Sequence, residues 1–544
     1  MTNGANWPEL CVLLGGLVLS VTGPATAEFV EVSVEAGIDF RHRNGATPDK
    51  HAPEVMGSGL AFFDYDSDGW LDLYFVNSAG PGALYRNLHD GTFEERAVDA
   101  GVADAGFGMG CASADYDNDG DLDLYITSYG PNILYHNNGD GTFVDVTTPA
   151  GVGDSGLGAG PAFGDYNLDG WVDLYVANYG VYPPDPLVRC NRNGVPIYCG
   201  AATFEPQPDV LYRNRGDGTF VDVAQTVGLL PRAAIEFGGI FGDYDGDGDP
   251  DLYCPADGSP NVLYRNDGGR FTEVGVLAGV AYSDDGKPLS SMGAAVGDYN
   301  NDGLVDIHVT NYQWETDNLY RNLGGLFFAD ETYESGVGMP SITYLSWGTI
   351  FVDYDRDGDR DLFVTAGHHD DNVEEFDAVT YAMQNHLFAN DGRGHYRDVT
   401  DVAGPGLALV QVSRGAATGD YDNDGDPDLA VLNSNQPAVL LRNEWNNSNH
   451  WLGLHLAGAG PPCSNRSGIG AHVEVVAGDL VQVGEVRSGD SYMSQSDLRL
   501  FFGLGERAEV ERVVIRWPAG ALQELTSVEV DQSLTVREPC NSGD

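Results

Sequence analysis

Asp64-Tyr65-Asp66-Ser67-Asp68-Gly69-Trp70-Leu71-Asp72 is the first of seven copies of one pattern, and its reading decides the fold. Carboxylates at positions 1, 3, 5 and 9 set hard oxygen ligands on one side of a tight loop. Glycine at position 6 allows the sharp turn, and the position 7 carbonyl completes a calcium shell. In this copy the ligands are Asp64, Asp66, Asp68 and Asp72, with the main-chain oxygen of Trp70. The next copies supply Asp115, Asp117, Asp119, Asp121 and Asp123; Asp165, Asn167, Asp169, Trp171 and Asp173; and Asp243, Asp245, Asp247, Asp249 and Asp251. The last three supply Asp298, Asn300, Asp302, Leu304 and Asp306; Asp353, Asp355, Asp357, Asp359 and Asp361; and Asp420, Asp422, Asp424, Asp426 and Asp428. Only Asn167 and Asn300 replace a carboxylate, and each keeps an oxygen. Up to seven structural Ca2+ ions are therefore expected.

The EF-hand uses the same early ligands but closes its shell with a bidentate Glu at position 12 and is flanked by helices. Here position 12 holds Phe75, Ile126, Val176, Cys254, Val309, Val364 and Val431, none of them a calcium ligand. The residues leading there, as in Leu122-Asp123-Leu124-Tyr125-Ile126-Thr127, have strand period and strand composition. Each loop thus feeds a strand. A plain Asp/Gly hairpin turn would explain one copy, but not four oxygen positions held in seven.

Two further signals recur in fixed order with the loop. An aromatic strand starts at Phe29, Phe93, Phe143, Phe220, Phe271, Phe328 and Tyr396, and a Leu-Tyr-Arg-Asn-like strand ends at Asn87, Asn137, Asn214, Asn266, Asn322, Asn390 and Asn443. Successive loops lie 50 to 78 residues apart, room for four short strands and their turns. Short antiparallel units repeated this way hide their edges best by closing radially. The expected fold is all-β: a seven-bladed β-propeller over residues 28–443, with the aromatic strand at Phe29 completing the last blade. Glycines five residues before each loop, from Gly59 to Gly415, belong on the innermost strands, where backbones crowd.

The 544 residues exceed one ordinary core, so a second domain is expected. After a polar linker at 444–450, residues 451–539 read as alternating strands of a small β-sandwich, followed by a tail at 540–544. With 83 acidic and 27 basic residues the formal charge is −56, which disfavours nucleic acid and anionic lipid and favours cations. A hydrophobic share of 42% argues for a folded chain. The apolar run from Leu10 to Val21 and the small residues Ala25-Thr26-Ala27 read as a signal peptide over 1–27, although the first ten residues hold no Lys or Arg. This places the mature protein outside the cell, in the periplasm or on the cell surface, with no membrane span and as a monomer. In an oxidising compartment Cys190 is expected to pair with Cys199 and Cys463 with Cys540, leaving Cys111 and Cys254 as buried thiols.

Two insertions interrupt the repeats, at Val181 to Pro208 and Gly367 to Asn385, and the second opens with His368-His369-Asp370-Asp371. Loops at a channel mouth carry function in propellers, so His368, His369 and Asp370 form a possible ligand site, a transition-metal site being weighed against a solvated acidic loop. Arg414 occupies the phase that holds Met109, Phe237, Met292 or Trp347 elsewhere, and is expected to face the channel and pair with an acid or an anionic ligand. Arg215-Gly216-Asp217 is read as an accident of a turn whose neighbours carry Gly-Asp in the same phase.

The Asp-Tyr-Asp-Asn-Asp-Gly-Asp-Leu-Asp run from Asp115 resembles the repeat of FG-GAP/VCBS propellers, relatives of integrin α-subunit heads. The runs Ser464 to Ala471, Gly489 to Ser496, Phe502 to Gly505 and Arg516 to Gly520 resemble the ASPIC/UnbV domain. The pairing is similar to the cartilage acidic protein family. That resemblance implies a secreted or surface protein with calcium in its loops, and carries over no catalytic residue. The favoured function is an extracellular binding or adhesion scaffold for a protein or glycan. The alternative is a calcium-dependent secreted enzyme acting on polysaccharide, which convergence of His368, Asp370 and Arg414 on one pocket would favour.

Overall fold

A computed structural model of the chain describes residues 29–103, 106–183, 188–229 and 234–540. The expected signal peptide lies outside them. Among the described residues are seven four-stranded sheets of the repeating kind, each antiparallel throughout. The first consists of Leu60–Phe63, Asp72–Phe75, Ala83–Asn87 and Phe93–Glu95 in that order. The second strand is buried along its length because each sheet packs between two others, whereas the fourth buries Phe93 and exposes Glu94 and Glu95, a short charged edge that resists pairing with other chains. The seventh sheet joins Ser413–Gly419, Asp428–Asn433 and Val439–Asn443 to Phe29–Glu31 from the other end of the repeats, with Phe29 opposite Asn443. The ring closes through the strand expected to close it.

A second device joins the sheets. The asparagine ending each third strand donates its Nδ2 to the carbonyl of the position 2 tyrosine in the preceding sheet. Asn137 reaches Tyr65 at 2.7 Å, and the others reach Tyr116, Tyr166, Tyr244, Tyr299 and Tyr354 at 2.7 to 2.9 Å. Asn87 of the first sheet reaches Tyr421 of the last at 2.8 Å. These side chains are buried, so the bonds are sheltered from water.

The C-terminal strands form two sheets: Leu500–Gly505, His450–Ala457 and Gln532–Arg537 in one, and Leu480–Glu485, His472–Ala477, Val510–Arg516 and Leu522–Val528 in the other. Their core, including Leu454, Val473 and Trp517, is continuous with apolar side chains of the propeller such as Phe163 and Val172. Both expected disulfides are present, with Cα–Cα distances of 5.2 Å for Cys190–Cys199 and 6.3 Å for Cys463–Cys540, and Cys111 and Cys254 are free and buried.

The centre of the ring is filled. The loop Gly489 to Ser496 of the C-terminal region enters it and bonds to the innermost strands: Cys111 N–H donates to Met493 O at 3.1 Å, Ala294 N–H to Ser491 O at 3.1 Å, and Gln495 N–H to Leu60 O at 2.9 Å. Five of the phased glycines, Gly59, Gly110, Gly293, Gly348 and Gly415, adjoin both the next sheet and this loop. A Cβ on Gly59 would collide with Met493 O, and one on Gly348 would lie 2.8 Å from Arg414 O and 3.0 Å from Ser491 Oγ. Crowding between sheets was expected; the plug supplies the rest. Tyr492 at its tip packs against Phe237 and Trp347, with ring centroids at 5.4 and 5.0 Å, and donates its hydroxyl to Met56 O at 2.9 Å.

Candidate functional site

The seven acidic loops share one local design. Position 4 takes a left-handed conformation, as at Ser67 and Asn118, and the position 6 glycine has φ of 88° in Gly69 and 111° in Gly120, values a side chain would strain. In every copy the position 6 N–H donates to the position 1 carboxylate, as Gly69 does to Asp64 Oδ2 at 2.8 Å. In every copy the position 7 N–H donates to the position 5 carboxylate. Position 9 accepts the N–H of the ring-linking asparagine, as Asp72 Oδ1 does from Asn87 at 2.7 Å. One side chain thus serves both the loop and the ring.

This concentration of carboxylates is electrostatically costly. Burial, opposed by backbone donors and aided by neighbouring acids, pushes Asp72 up to about 9 and Asp251 to about 8; burial and the Asp123 charge push Asp115 up to about 8. One oxygen from each of Asp64, Asp66 and Asp72 lies within 4.8 Å of the others, and the same holds for Asp243, Asp245 and Asp251 and for Asp115, Asp117 and Asp119. At position 3, Asp66 Oδ1, Asp355 Oδ1 and Asp422 Oδ1 are buried acceptors with no hydrogen-bond partner. Converging hard oxygens, some of them orphaned, are what a divalent cation with oxygen preference requires, so these residues fit calcium. Basic side chains offset part of the charge: Arg86 lies 2.6 Å from Asp66, and His136 lies 3.3 Å from Asp117 and 3.2 Å from Asp123.

The loops join first and second strands at the end of the ring that carries the C-terminal domain, where Arg499 donates to Asp420 O at 2.8 Å. The insertions follow second strands at the opposite end. There they meet: Tyr198 N–H donates to Asp370 Oδ1 at 2.8 Å, Asn372 Nδ2 to Pro196 O at 3.1 Å, and Arg192 lies 3.4 Å from Asp377. Between them opens a cleft of about 360 Å³, with Phe237, Met292 and Trp347 in its lining together with Tyr198, His369 and Asp370.

The expected ligand residues divide here. His369 and Asp370 line the cleft, and His369 Nε2 lies 3.2 Å from Asp370 Oδ2. His368 and Asp370 are buried, whereas Asp371, Glu374 and Glu375 further along the same insertion are exposed to solvent. His368 Nδ1 accepts the Asp370 N–H at 2.9 Å, which puts the ring proton on Nε2 and occupies the lone pair a metal would need there. Burial first, then His369, holds its pKa down to about 3, so the ring stays neutral.

Arg414 corrects a second expectation. It neither pairs with an acid nor offers itself to an anion. Its donors go to Val55 O at 2.9 Å, Gly367 O at 3.0 Å, Ser413 O at 2.9 Å and His368 O at 3.2 Å, and its guanidinium sits 4.0 Å from the Trp347 ring centroid. It pins the segment before the first propeller strand to the second insertion. That segment, residues 41–57, was not singled out in the sequence, yet it supplies Lys50, which pairs with Asp371 and lies 4.7 Å from the Tyr198 ring centroid. It also supplies Glu54, which accepts the Tyr198 hydroxyl at 3.2 Å.

Comparison with known proteins gives two family matches. The family described as FG-GAP-like repeat matches residues 64–126, 115–176, 191–254, 243–309 and 298–364, and that described as ASPIC and UnbV matches 461–542. Cartilage acidic protein 1 of Xenopus tropicalis is 25% identical over 310 residues, 53% of this chain and 43% of that protein. The Homo sapiens protein of that name is 27% identical over 179 residues, 30% of this chain and 25% of that one. The alignments thus cover less than half the length of these curated relatives. YCF48 from Cyanidioschyzon merolae has a TM-score of 0.39 and 12% identity, over 76% of this chain and 98% of that one. The fold rests on the strand pairing above, not on that likeness.

Proposed function

Because the chain belongs to the FG-GAP-like repeat proteins that carry a C-terminal ASPIC and UnbV domain, we propose that it is a secreted, calcium-pinned propeller. On this reading it is a binding scaffold for an extracellular protein or glycan. The observation that carries the reading is the set of converging, partly buried carboxylate clusters, with an unpartnered position 3 oxygen at Asp66, Asp355 and Asp422. Calcium held by positions 1, 3, 5 and 9 and the position 7 carbonyl would supply the positive charge that Asp64 to Asp72 and their counterparts lack. Two disulfides suit an oxidising compartment. No helix among the described residues is long and apolar enough to cross a membrane. The polysaccharide-enzyme alternative called for His368, Asp370 and Arg414 to converge on one pocket, whereas Asp370 lines the cleft and His368 and Arg414 do not.

The test is metal analysis of the purified chain after dialysis against calcium, with thermal unfolding in calcium and in chelator. Several equivalents of calcium per chain and a lower midpoint in chelator are expected. An unchanged midpoint would refute the calcium role.

A further inference from the structure

The cleft between the insertions differs from the loops in chemistry. Its lining is mostly apolar and aromatic, with Tyr179, Phe237, Tyr312 and Trp347 among its walls, and its volume of about 360 Å³ is that of a small-molecule site. Two carboxylates, Asp257 and Asp370, reach it. Asp257 accepts the Tyr179 hydroxyl at 2.7 Å and burial pushes its carboxyl above the usual range, whereas Asp370, beside His369 Nε2 at 3.2 Å and the Tyr198 N–H at 2.8 Å, is held below that range against burial and is the ionised acid of the pair. Among the described residues of the lining, the guanidinium is that of Arg192, turned to Asp377 at 3.4 Å and to the Phe376 ring at 5.4 Å. Arg414, behind Trp347, has its donors committed to carbonyls.

From this charge and shape complementarity we propose that the cleft binds a small organic ammonium ion with an apolar body. Aromatic faces attract a cation through their ring quadrupoles, a carboxylate fixes its position, and the apolar remainder fills the space above Phe237 and Met292. The formal charge of −56 raises the local concentration of any cation approaching this mouth. An anion would meet the Asp370 carboxylate, and the basic groups nearest it already face acids, Arg192 toward Asp377, His369 toward Asp370 and Lys50 toward Asp371. The inference rests on reading the chain as a binding protein, and it goes beyond that reading by naming what one face takes.

The experiment is calorimetric titration of the calcium-loaded full chain with three probes of similar size: phenethylammonium, 3-phenylpropionate and 3-phenylpropanol. Phenethylammonium is expected to bind at least tenfold more tightly than the other two, and Asp370→Asn to weaken it about tenfold. Equal or tighter binding of 3-phenylpropionate, or no binding of phenethylammonium, would overturn the proposal without any variant. Asp370 also ties the insertions together, so Asp257→Asn provides a second variant, expected to weaken phenethylammonium severalfold at an unchanged unfolding midpoint; unchanged affinity in both variants would also overturn it. The calcium content of the same sample reports separately on the scaffold reading.

Discussion

Asn87 and Tyr421 are 334 residues apart in sequence and 2.8 Å apart in space, the Nδ2 of one donating to the carbonyl of the other. The same amide donates to Leu71 O at 3.0 Å, and its Oδ1 accepts the His89 N–H at 3.0 Å. Asn87→Ala leaves these buried partners unsatisfied, at about 1–3 kcal/mol for each group that water cannot reach. A lower denaturant midpoint is expected, with Asn214→Ala, which removes the equivalent bond to Tyr116, close behind. A change within error for Asn87→Ala would remove the amide from the account of ring closure.

Tyr492 is the tip of the plug. Tyr492→Ala removes a fully buried ring from between Phe237 and Trp347, a truncation that costs roughly 3–5 kcal/mol. Tyr492→Phe keeps the packing and loses only the bond to Met56 O, about 1 kcal/mol. Thermal unfolding of the two variants checks the order, and limited proteolysis should cut the alanine variant between the repeats and the C-terminal strands first.

Positions 3 and 9 of the acidic loops should separate under chelation. Asp355 Oδ1 has no hydrogen-bond partner, whereas Asp361 accepts the N–H groups of Tyr354 at 3.2 Å and Asn390 at 2.8 Å. Asp355→Asn is therefore expected to lower the unfolding midpoint in calcium and to raise it slightly in chelator, where the lost charge relieves repulsion from Asp357 and Asp359. Asp361→Ala should lower it in both. Equal losses for the two variants in chelator would count against a metal-directed role for position 3.

Asp398 provides the pH dependence. Its carboxylate, opposed by burial but bonded to His386 Nδ1 at 3.1 Å, Thr400 Oγ1 at 2.6 Å and Thr400 N–H at 3.0 Å, is held down to about 2. The folded pKa lies below the unfolded one, so the stabilisation is present above the ordinary aspartate range and is lost as pH falls toward about 2. Asp398→Asn should lower the urea midpoint at pH 7, and the gap should close on acidification. A gap constant across that range would rule out the linkage.

The repeats were legible because they are periodic: Asp64 to Asp72 and its copies announce a turn, and the aromatic and Leu-Tyr-Arg-Asn strands announce what the turn connects. The ring-linking role of the asparagines was not, since an asparagine at a strand end reads equally well as a turn former, and its partner is a main-chain carbonyl that every residue carries. Arg414 stood out by phase because a charge replaces the apolar residue of other repeats, but its purpose stayed hidden because its partners are also carbonyls. Gly489 to Ser496 has neither helix nor strand period, and its contacts are to glycines and backbone atoms hundreds of residues away. The insertions were visible as breaks in spacing, but the third segment, 41–57, precedes the first acidic loop and disturbs no interval.

A wheel whose bore is stopped cannot be threaded. Any molecule that visits the insertion face must leave by the way it came, and it rests on Phe237 and Trp347, which lean on Tyr492 from beneath. The C-terminal domain is therefore an axle as well as a neighbour: the floor of the insertion face is built on a loop that belongs to the module on the other side of the disc.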